Sequence, residues 1–232
     1  MTTFIDPATG YEVRVIRKPI RRIYLRVWEG GSVEVTAPRR VSEREIRDFV
    51  AGKTAWLTKY MALVPEKIKF QYVTGEIHHV FGRAYPLQVC LGPRDEAGIS
   101  SGGELQLVLR TKQSDREDIF KEGMKRILLW EIEKQLEIWT KRMAIPESRI
   151  TGVTIRVMKS RWGSCRRVTG RFSFALDLVT KPKECIEAVV VHELCHLFAA
   201  GHGPDFYAQM ETYLPDYNER DRLLASLPRE LI

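Results

Sequence analysis

A five-residue segment near the C-terminal end, His192-Glu193-Leu194-Cys195-His196, combines residue types that bind metals and move protons. On a helix of about 3.6 residues per turn, His192 and His196 lie on the same face, one turn apart. Two imidazoles placed in this way can both reach one zinc ion at about 2.0–2.1 Å. The spacing therefore predicts that both histidines are metal ligands on a helix.

The glutamate of this segment has a different predicted role. Glu193 is adjacent to the first ligand, so its carboxylate is badly angled for the metal itself. It can instead hydrogen-bond a water on the open coordination position and accept its proton. Because zinc lowers the pKa of such a water toward about 7, a carboxylate of ordinary basicity is a sufficient base. The segment therefore predicts a zinc-dependent hydrolase in which Glu193 is the catalytic residue and activates a zinc-bound water.

The surroundings of the segment favour this interpretation over chance. Residues 188–191 before it and 197–200 after it are almost all apolar, and unpaired histidines and a glutamate would be costly to bury there. The chain has five histidines in total, and three of them fall within residues 192–202.

A third ligand is predicted shortly after the helix. Gly201 can end the helix and turn the chain back, which would present His202 to the same metal. This completes a site for one Zn²⁺ per chain. A metzincin pattern is disfavoured, because Ala199 stands where that pattern needs glycine. An alternative is a thermolysin-like site, in which the third ligand is one of three downstream carboxylates: Asp205, Glu211 or Asp216.

The elements that would position this site form an α+β fold in two parts. Residues 1–112 are predicted to be rich in strands, with one helix over residues 42–64 that opens on the capping box Ser42-Glu43-Arg44-Glu45. The strands are predicted from runs with alternating apolar and polar residues. These runs are 13–16, 23–28, 32–37, 77–81, 85–91 and 105–109, and residues 92–103 between the last two are expected to form an exposed loop.

Residues 113–232 are predicted to form the catalytic part, with a soft boundary near residue 112 that also permits one continuous domain. Helical periodicity predicts a long helix over residues 115–143 and the motif-bearing helix over about 182–199. Two strands, 153–158 and 172–178, separate these helices, and two short helices, 204–213 and 216–226, end the chain.

Composition and charge narrow the class of protein. Hydrophobic residues make up 44% of the 232 residues and charged residues 29%, which is typical of a folded chain and not of a disordered one. No run approaches the roughly 18 apolar residues of a membrane helix, and no secretory signal is evident, so the protein is expected in the cytoplasm without membrane contact. The four scattered cysteines are expected to be reduced. The net charge of +7 allows weak contact with nucleic acid, although a solvated basic surface is the simpler interpretation.

The segments VVVHELCHL, GHGPDF and RWGSC together resemble the YgjP-like metallopeptidases, which belong to the zincin grouping with the SprT-like and WLM proteases. The segments RRIYLRVWEGGSVEVTAP and FGRAYPLQV also resemble this family, so the resemblance covers most of the chain. It implies a zincin-like C-terminal part and a peptide or protein substrate. It also implies that His192, His196 and His202 bind zinc and that Glu193 is the general base.

The segment Arg161-Trp162-Gly163-Ser164-Cys165 has two interpretations. It can lie near the metal, with residues 172–178 as the sheet edge that pairs with an extended substrate. Alternatively, Trp162 is a core residue, Gly163 forms a turn and Cys165 is buried and inert. Arg161 and Tyr207 are candidates for stabilising the oxyanion of a tetrahedral intermediate, by guanidinium or phenol hydrogen bonds.

Two other functions remain open beside a peptidase. A metal-dependent nucleotide pyrophosphatase would suit the basic surface, but the sequence has no glycine-rich phosphate loop and three histidine ligands suit acyl chemistry better. A DNA-associated protein that acts on DNA-bound proteins is suggested by analogy with SprT-like proteases.

Overall fold

The structure, a computed structural model, describes residues 2–27, 31–61 and 69–230. By its internal contacts the chain divides into two units, Met1–Lys69 and Phe70–Ile232, called here the N-terminal unit and the C-terminal unit. The hydrophobic core of each unit is formed by residues of that unit alone.

The described residues of the N-terminal unit form one sheet of four strands and two helices. Its strands are β1 (Thr2–Ile5), β2 (Glu12–Lys18), β3 (Tyr24–Val27) and β4 (Val33–Pro38), in the order β1-β2-β4-β3. The β2 and β4 strands are parallel, and the two outer strands run antiparallel to their neighbours. Successive side chains of β2 and β4 point to opposite faces of the sheet, as the alternating apolar and polar residues predicted. The residues on the inner face are buried in the core: Val13, Val15, Val33 and Val35.

The single helix predicted over residues 42–64 is instead two helices, α1 (Glu43–Ala51) and α2 (Thr54–Met61). The predicted capping box is confirmed, with Ser42 and Glu45 hydrogen-bonded to each other's backbone. Gly52 caps the end of α1, and the Lys53 N–H bonds the carbonyl of Val50, so the regular helical ladder stops there. Residues 62–64 of the prediction lie outside the described residues.

The first sheet of the C-terminal unit contains β5 (Ile77–Val80), β6 (Arg83–Leu91), β7 (Glu96–Ile99) and β8 (Leu105–Leu109), in the order β5-β6-β8-β7. Phe81 and Gly82 connect β5 to β6 and both have a positive φ, as a type I′ hairpin turn requires. The expectation of a loop over residues 92–103 was wrong, because β7 lies within it. This short edge strand buries Ala97 under the helix that follows.

That helix, α3 (Arg116–Arg142), precedes a second sheet with the order β10-β11-β9. Its strands are β9 (Gly152–Arg156), β10 (Gly163–Arg166) and β11 (Arg171–Ala175), with β9 parallel and β10 antiparallel to β11. The β11 strand is therefore central, which rules out its predicted role as the substrate-binding edge. The β10 strand is an edge strand, and Gly163 lies in it and not in a turn.

The chain then forms α4 (Lys183–Cys195), α5 (Pro204–Tyr213) and α6 (Tyr217–Ser226). The α4 helix packs against α3, α5, α6 and β10, which explains why its residues are apolar on nearly every side. None of the helices among the described residues has the length and apolar composition needed to cross a membrane.

The predicted α+β fold, with a strand-rich N-terminal part and helices toward the C-terminus, is confirmed. The contact division at Lys69 and Phe70 differs from the soft boundary near residue 112. Residues 70–112 group with residues 113–230 because their sheet packs on α3, where β7 and β8 both contact the helix.

Candidate metal centre

Two histidines of the site stand at the end of α4. The helix ends at Cys195, earlier than the predicted end near residue 199. His196 caps it with φ −64° and ψ −15°, which is still right-handed helical backbone. His192 and His196 therefore keep the one-turn relation that the sequence predicted, with ring centroids 5.0 Å apart.

The third histidine arrives from the connection between α4 and α5. The Nε2 atom of His202 lies 3.0 Å from the Nε2 atom of His192. One ligand atom from each of the three histidines lies within 4.8 Å of the others. Within the described part of the chain, this group of potential ligands contains three histidines and no carboxylate.

Phe206 supports all three imidazoles from the first turn of α5. Its ring is fully buried, and its centroid lies 4.8 Å from those of His192 and His196 and 4.7 Å from that of His202. This residue was not among the predicted site residues, although it belongs to the GHGPDF segment. The short distance along the chain from His202 to Phe206 was the available signal.

In His192 and His196 the Nδ1 atom has a hydrogen-bond partner, which leaves the Nε2 atom of each ring available to a metal. The Nδ1 atom of His196 lies 3.3 Å from the carbonyl oxygen of Ala199, which can only accept. The Nδ1 atom of His192 lies 3.3 Å from the hydroxyl of Tyr217, the first residue of α6. Such partners fix the tautomer and the ring orientation of metal-binding histidines. Tyr217 was missed because no sequence motif connects it to the histidines.

The protonation of these rings suits metal binding. Burial and, to a smaller extent, the neighbouring imidazoles of His196 and His202 together lower the pKa of His192 to about 4. Burial also lowers the pKa of His196. Both rings are therefore neutral near pH 7 and offer a lone pair. Two nitrogens on one tetrahedral zinc at 2.0–2.1 Å would lie about 3.3 Å apart, so the 3.0 Å separation of His192 and His202 fits such an ion.

Glu193 lies on α4 beside this group and is only 4% exposed. Burial raises the pKa of its carboxyl group to about 7, against the opposing effects of the Arg161 guanidinium and a hydrogen bond from the Cys165 backbone N–H. Its Oε2 atom has no hydrogen-bond partner among the described residues. A buried oxygen of this kind costs free energy unless a bound water or a substrate satisfies it.

The two predicted oxyanion-stabilising residues differ in their placement. Arg161 precedes β10 and acts electrostatically on the Glu193 carboxylate. Tyr207 lies on α5 with about half of its side chain exposed, and its ring contacts Phe206, at 5.5 Å between centroids, rather than the imidazoles. The segment that contains Arg161 therefore lies beside Glu193, in agreement with the interpretation that placed it near the metal. Trp162 and Cys165 of the same segment also pack against the core, as the other interpretation predicted.

Comparison of this chain with curated proteins and solved structures gives only partial matches. No curated protein matches it. Among solved structures, the metallopeptidase zymogen abylysin of Pyrococcus abyssi is 22% identical, with a TM-score of 0.37, over 44% of this chain and 99% of abylysin. The metallopeptidase zymogen jannalysin of Methanocaldococcus jannaschii is 21% identical, with a TM-score of 0.36, over 40% of this chain and 93% of jannalysin.

The family comparison covers far more of the chain. The model of the YgjP-like metallopeptidase domain matches residues 21–227, which include all of the residues that surround the three histidines. The predicted resemblance is thereby confirmed, and with it a metal-dependent peptidase as the class of enzyme. The chain belongs to the YgjP-like metallopeptidase family.

Proposed function

We propose that this metallopeptidase uses zinc, held by His192, His196 and His202, and that Glu193 is its general base. The observation that carries the proposal is the convergence of three imidazoles, two of them held neutral by burial, beside a buried carboxylate. One oxygen of that carboxylate has no partner among the described residues. Three protein ligands with an open fourth position are typical of catalytic zinc sites. When bound, the zinc would act as a Lewis acid toward the water and the carbonyl group of the substrate.

The residues of the chain then have separate tasks. The imidazoles hold the metal, while Phe206 and the hydrogen bonds to Tyr217 and Ala199 hold the imidazoles. The Oε2 atom of Glu193 accepts the proton from the attacking water. The same carboxyl group returns that proton to the nitrogen of the leaving amine when the peptide bond breaks. The substrate is accordingly a peptide or a protein.

Arg161 and Tyr207 remain the proposed contacts to the substrate or the oxyanion. Arg161 has the stronger support of the two, because its positive charge acts on the same carboxylate that handles the proton. Such a charge would also stabilise negative charge that develops on the carbonyl oxygen.

The test replaces Glu193 by Gln and measures zinc content and hydrolysis of a quenched fluorescent peptide library. Zinc content and folding should stay near those of the unchanged protein, because Glu193 is not a ligand. Hydrolysis should fall by about 10²–10⁴-fold, the contribution of a positioned general base. Glu184→Gln is the matched control, since it makes the same change at an exposed position of α4 and should keep full activity.

Two results would contradict the proposal. Full peptide hydrolysis by Glu193→Gln would remove Glu193 from the mechanism. Release of pyrophosphate from nucleoside triphosphates by a zinc-loaded protein that leaves the peptide library intact would favour the pyrophosphatase alternative.

A further inference from the structure

The first glycine of β10 has no room for a side chain, and the obstacle is Glu193. A Cβ atom built on Gly163 would lie 2.5 Å from the Oε1 atom of Glu193, 2.7 Å from its Cγ and 2.9 Å from its Cδ. Real Cβ atoms essentially never approach other atoms within 3.0 Å. The φ of Gly163 lies outside the left-handed region, so its backbone would suit other residues. Glycine is required at this position because a side chain would overlap with Glu193.

A second group of the same strand contacts the same carboxylate. The backbone N–H of Cys165 donates a hydrogen bond to Glu193. Because β10 is an edge strand, an N–H that faces α4 is not needed for pairing with β11. One side of the carboxylate therefore lies against Gly163 and the Cys165 N–H, while Oε2 has no partner among the described residues.

The segment that leads into β10 is itself anchored. The carbonyl oxygen of Trp162 accepts a hydrogen bond of 2.8 Å from the N–H of Ala175. The guanidinium of Arg229 lies 3.7 Å from the centroid of the Trp162 ring and donates to the carbonyl oxygens of Met158, at 2.6 Å, and Arg161, at 3.2 Å. These contacts hold the strand that meets the carboxylate.

We propose that Gly163 and the backbone N–H of Cys165 are positioning groups, which set the orientation of the Glu193 carboxylate so that Oε2 faces the reacting water. The inference rests on the proposed function, because it gives these two groups a task only if Glu193 handles the proton. It also assigns a role to the WGSC tetrapeptide in which the glycine and a main-chain N–H matter and the cysteine thiol does not.

The experiment compares two pairs of variants, and it reports kcat and KM on the peptide library per zinc-loaded molecule. Gly163→Ala inserts a methyl group against the carboxylate, whereas Gly152→Ala inserts one in β9 of the same sheet, where nothing lies within 4 Å. Cys165→Pro removes the N–H donor, whereas Cys165→Ala removes only the thiol. If Gly163→Ala does not fold, the Cys165 pair decides the question.

The expected result is a fall in kcat of about 10- to 100-fold for Gly163→Ala and Cys165→Pro, with KM within about twofold, because misplacing a catalytic group by about 1 Å can cost 10²-fold. Their zinc content should be unchanged. Gly152→Ala should behave like the unchanged protein, and Cys165→Ala, which keeps the N–H donor, should have a kcat at least about 10-fold above that of Cys165→Pro. An unchanged kcat for the folded, zinc-loaded Gly163→Ala and Cys165→Pro variants would overturn the inference. So would a loss of activity that follows a loss of zinc.

A thermal measurement tests the contact without any substrate. Gly163→Ala should lower the Tm of the unchanged protein but should lower it much less in the Glu193→Ala background, where the three clashing atoms are gone. An equal fall in both backgrounds would contradict the inference. If the unchanged protein hydrolyses no peptide, the proposed function itself fails. If it does hydrolyse peptides and only the variants disagree, the positioning role alone fails.

Discussion

The three proposed ligands are supported unequally by their surroundings. His192 and His196 belong to α4 or its cap, and the Nδ1 atom of each has a hydrogen-bond partner, Tyr217 or Ala199. His202 is exposed, comes from the connection before α5, and contacts Phe206 through its ring. The carboxylates that could replace it as a ligand, Asp205, Glu211 and Asp216, are absent from the group that converges. His202 is therefore the least supported of the three proposed ligands.

The prediction is that His202→Ala loses most of its zinc. Loss of an outer hydrogen-bond partner typically lowers metal affinity by about 10- to 100-fold. The affinity of His202→Ala for zinc should fall by more than this, because a direct ligand is removed. Asp205→Ala, Glu211→Ala and Asp216→Ala should keep their zinc. Competition with a chromophoric chelator measures these affinities. Full zinc retention by His202→Ala, together with loss in one carboxylate variant, would move the third ligand to that carboxylate.

At the scale of elements, the C-terminal unit depends on a close approach between α3 and β7. Gly123 is buried in the helix, and a Cβ atom at this position would lie within 2.7 Å of the carbonyl carbon and of the Cβ of Ala97, and closer still to its carbonyl oxygen. The Ala97 carbonyl also accepts a hydrogen bond of 3.3 Å from Arg126, one turn further along α3. A side chain at residue 123 would therefore push the helix away from the sheet.

This packing predicts that replacing Gly123 by Ala lowers the stability of the protein, although the same replacement usually stabilises a helix. In an exposed helix interior, replacing Gly by Ala stabilises by about 1 kcal/mol. Gly123→Ala should instead lower the free energy of unfolding by about 1–3 kcal/mol, the usual cost of overpacking a core. Gly98→Ala, in β7 itself, meets nothing within 4 Å and should change stability little. Urea denaturation measures both, and a more stable Gly123→Ala would show that α3 and β7 do not pack this closely.

At the scale of the whole molecule, most of the net positive charge and the candidate metal site belong to different units. Residues 1–69 contain 14 of the 37 Lys and Arg residues but only 8 of the 30 Asp and Glu residues. The N-terminal unit therefore carries most of the net charge of +7. The three histidines and Glu193 all belong to the C-terminal unit, whose own charges nearly balance. The predicted weak contact with nucleic acid is accordingly a property to seek in the N-terminal unit.

If such contact occurs, Arg21→Glu/Arg22→Glu should weaken it in the full chain. These two exposed arginines belong to the basic RKPIRR segment, and reversing their charge should elute the protein from a DNA column at clearly lower salt. Arg110→Glu/Lys112→Glu reverses two exposed charges in the C-terminal unit and is the control for net charge alone. Equal shifts for the two double variants would indicate a general charge effect and no basic surface for nucleic acid.

Much of the candidate site was predictable because its geometry is local. The one-turn relation of His192 and His196 follows from helical geometry, whatever the helix packs against. The apolar residues around them predict a buried helix, and burial is what holds the rings neutral and raises the pKa of Glu193. The capping box formed by Ser42 and Glu45 also joins residues that are close in the chain, and this prediction was confirmed. Interactions within about one helical turn are thus determined by the sequence itself.

Tertiary packing decided the rest. Tyr217 reaches His192 across 25 residues of chain, and no periodicity connects two side chains on different helices. The central place of β11 depends on which strands pair, and strand 172–178 alone carries no information about its neighbours. Gly163 shows the same distinction most directly. Its residue type is compatible with a turn or a strand, and only the position of Glu193 on the neighbouring helix explains why a side chain has no space there.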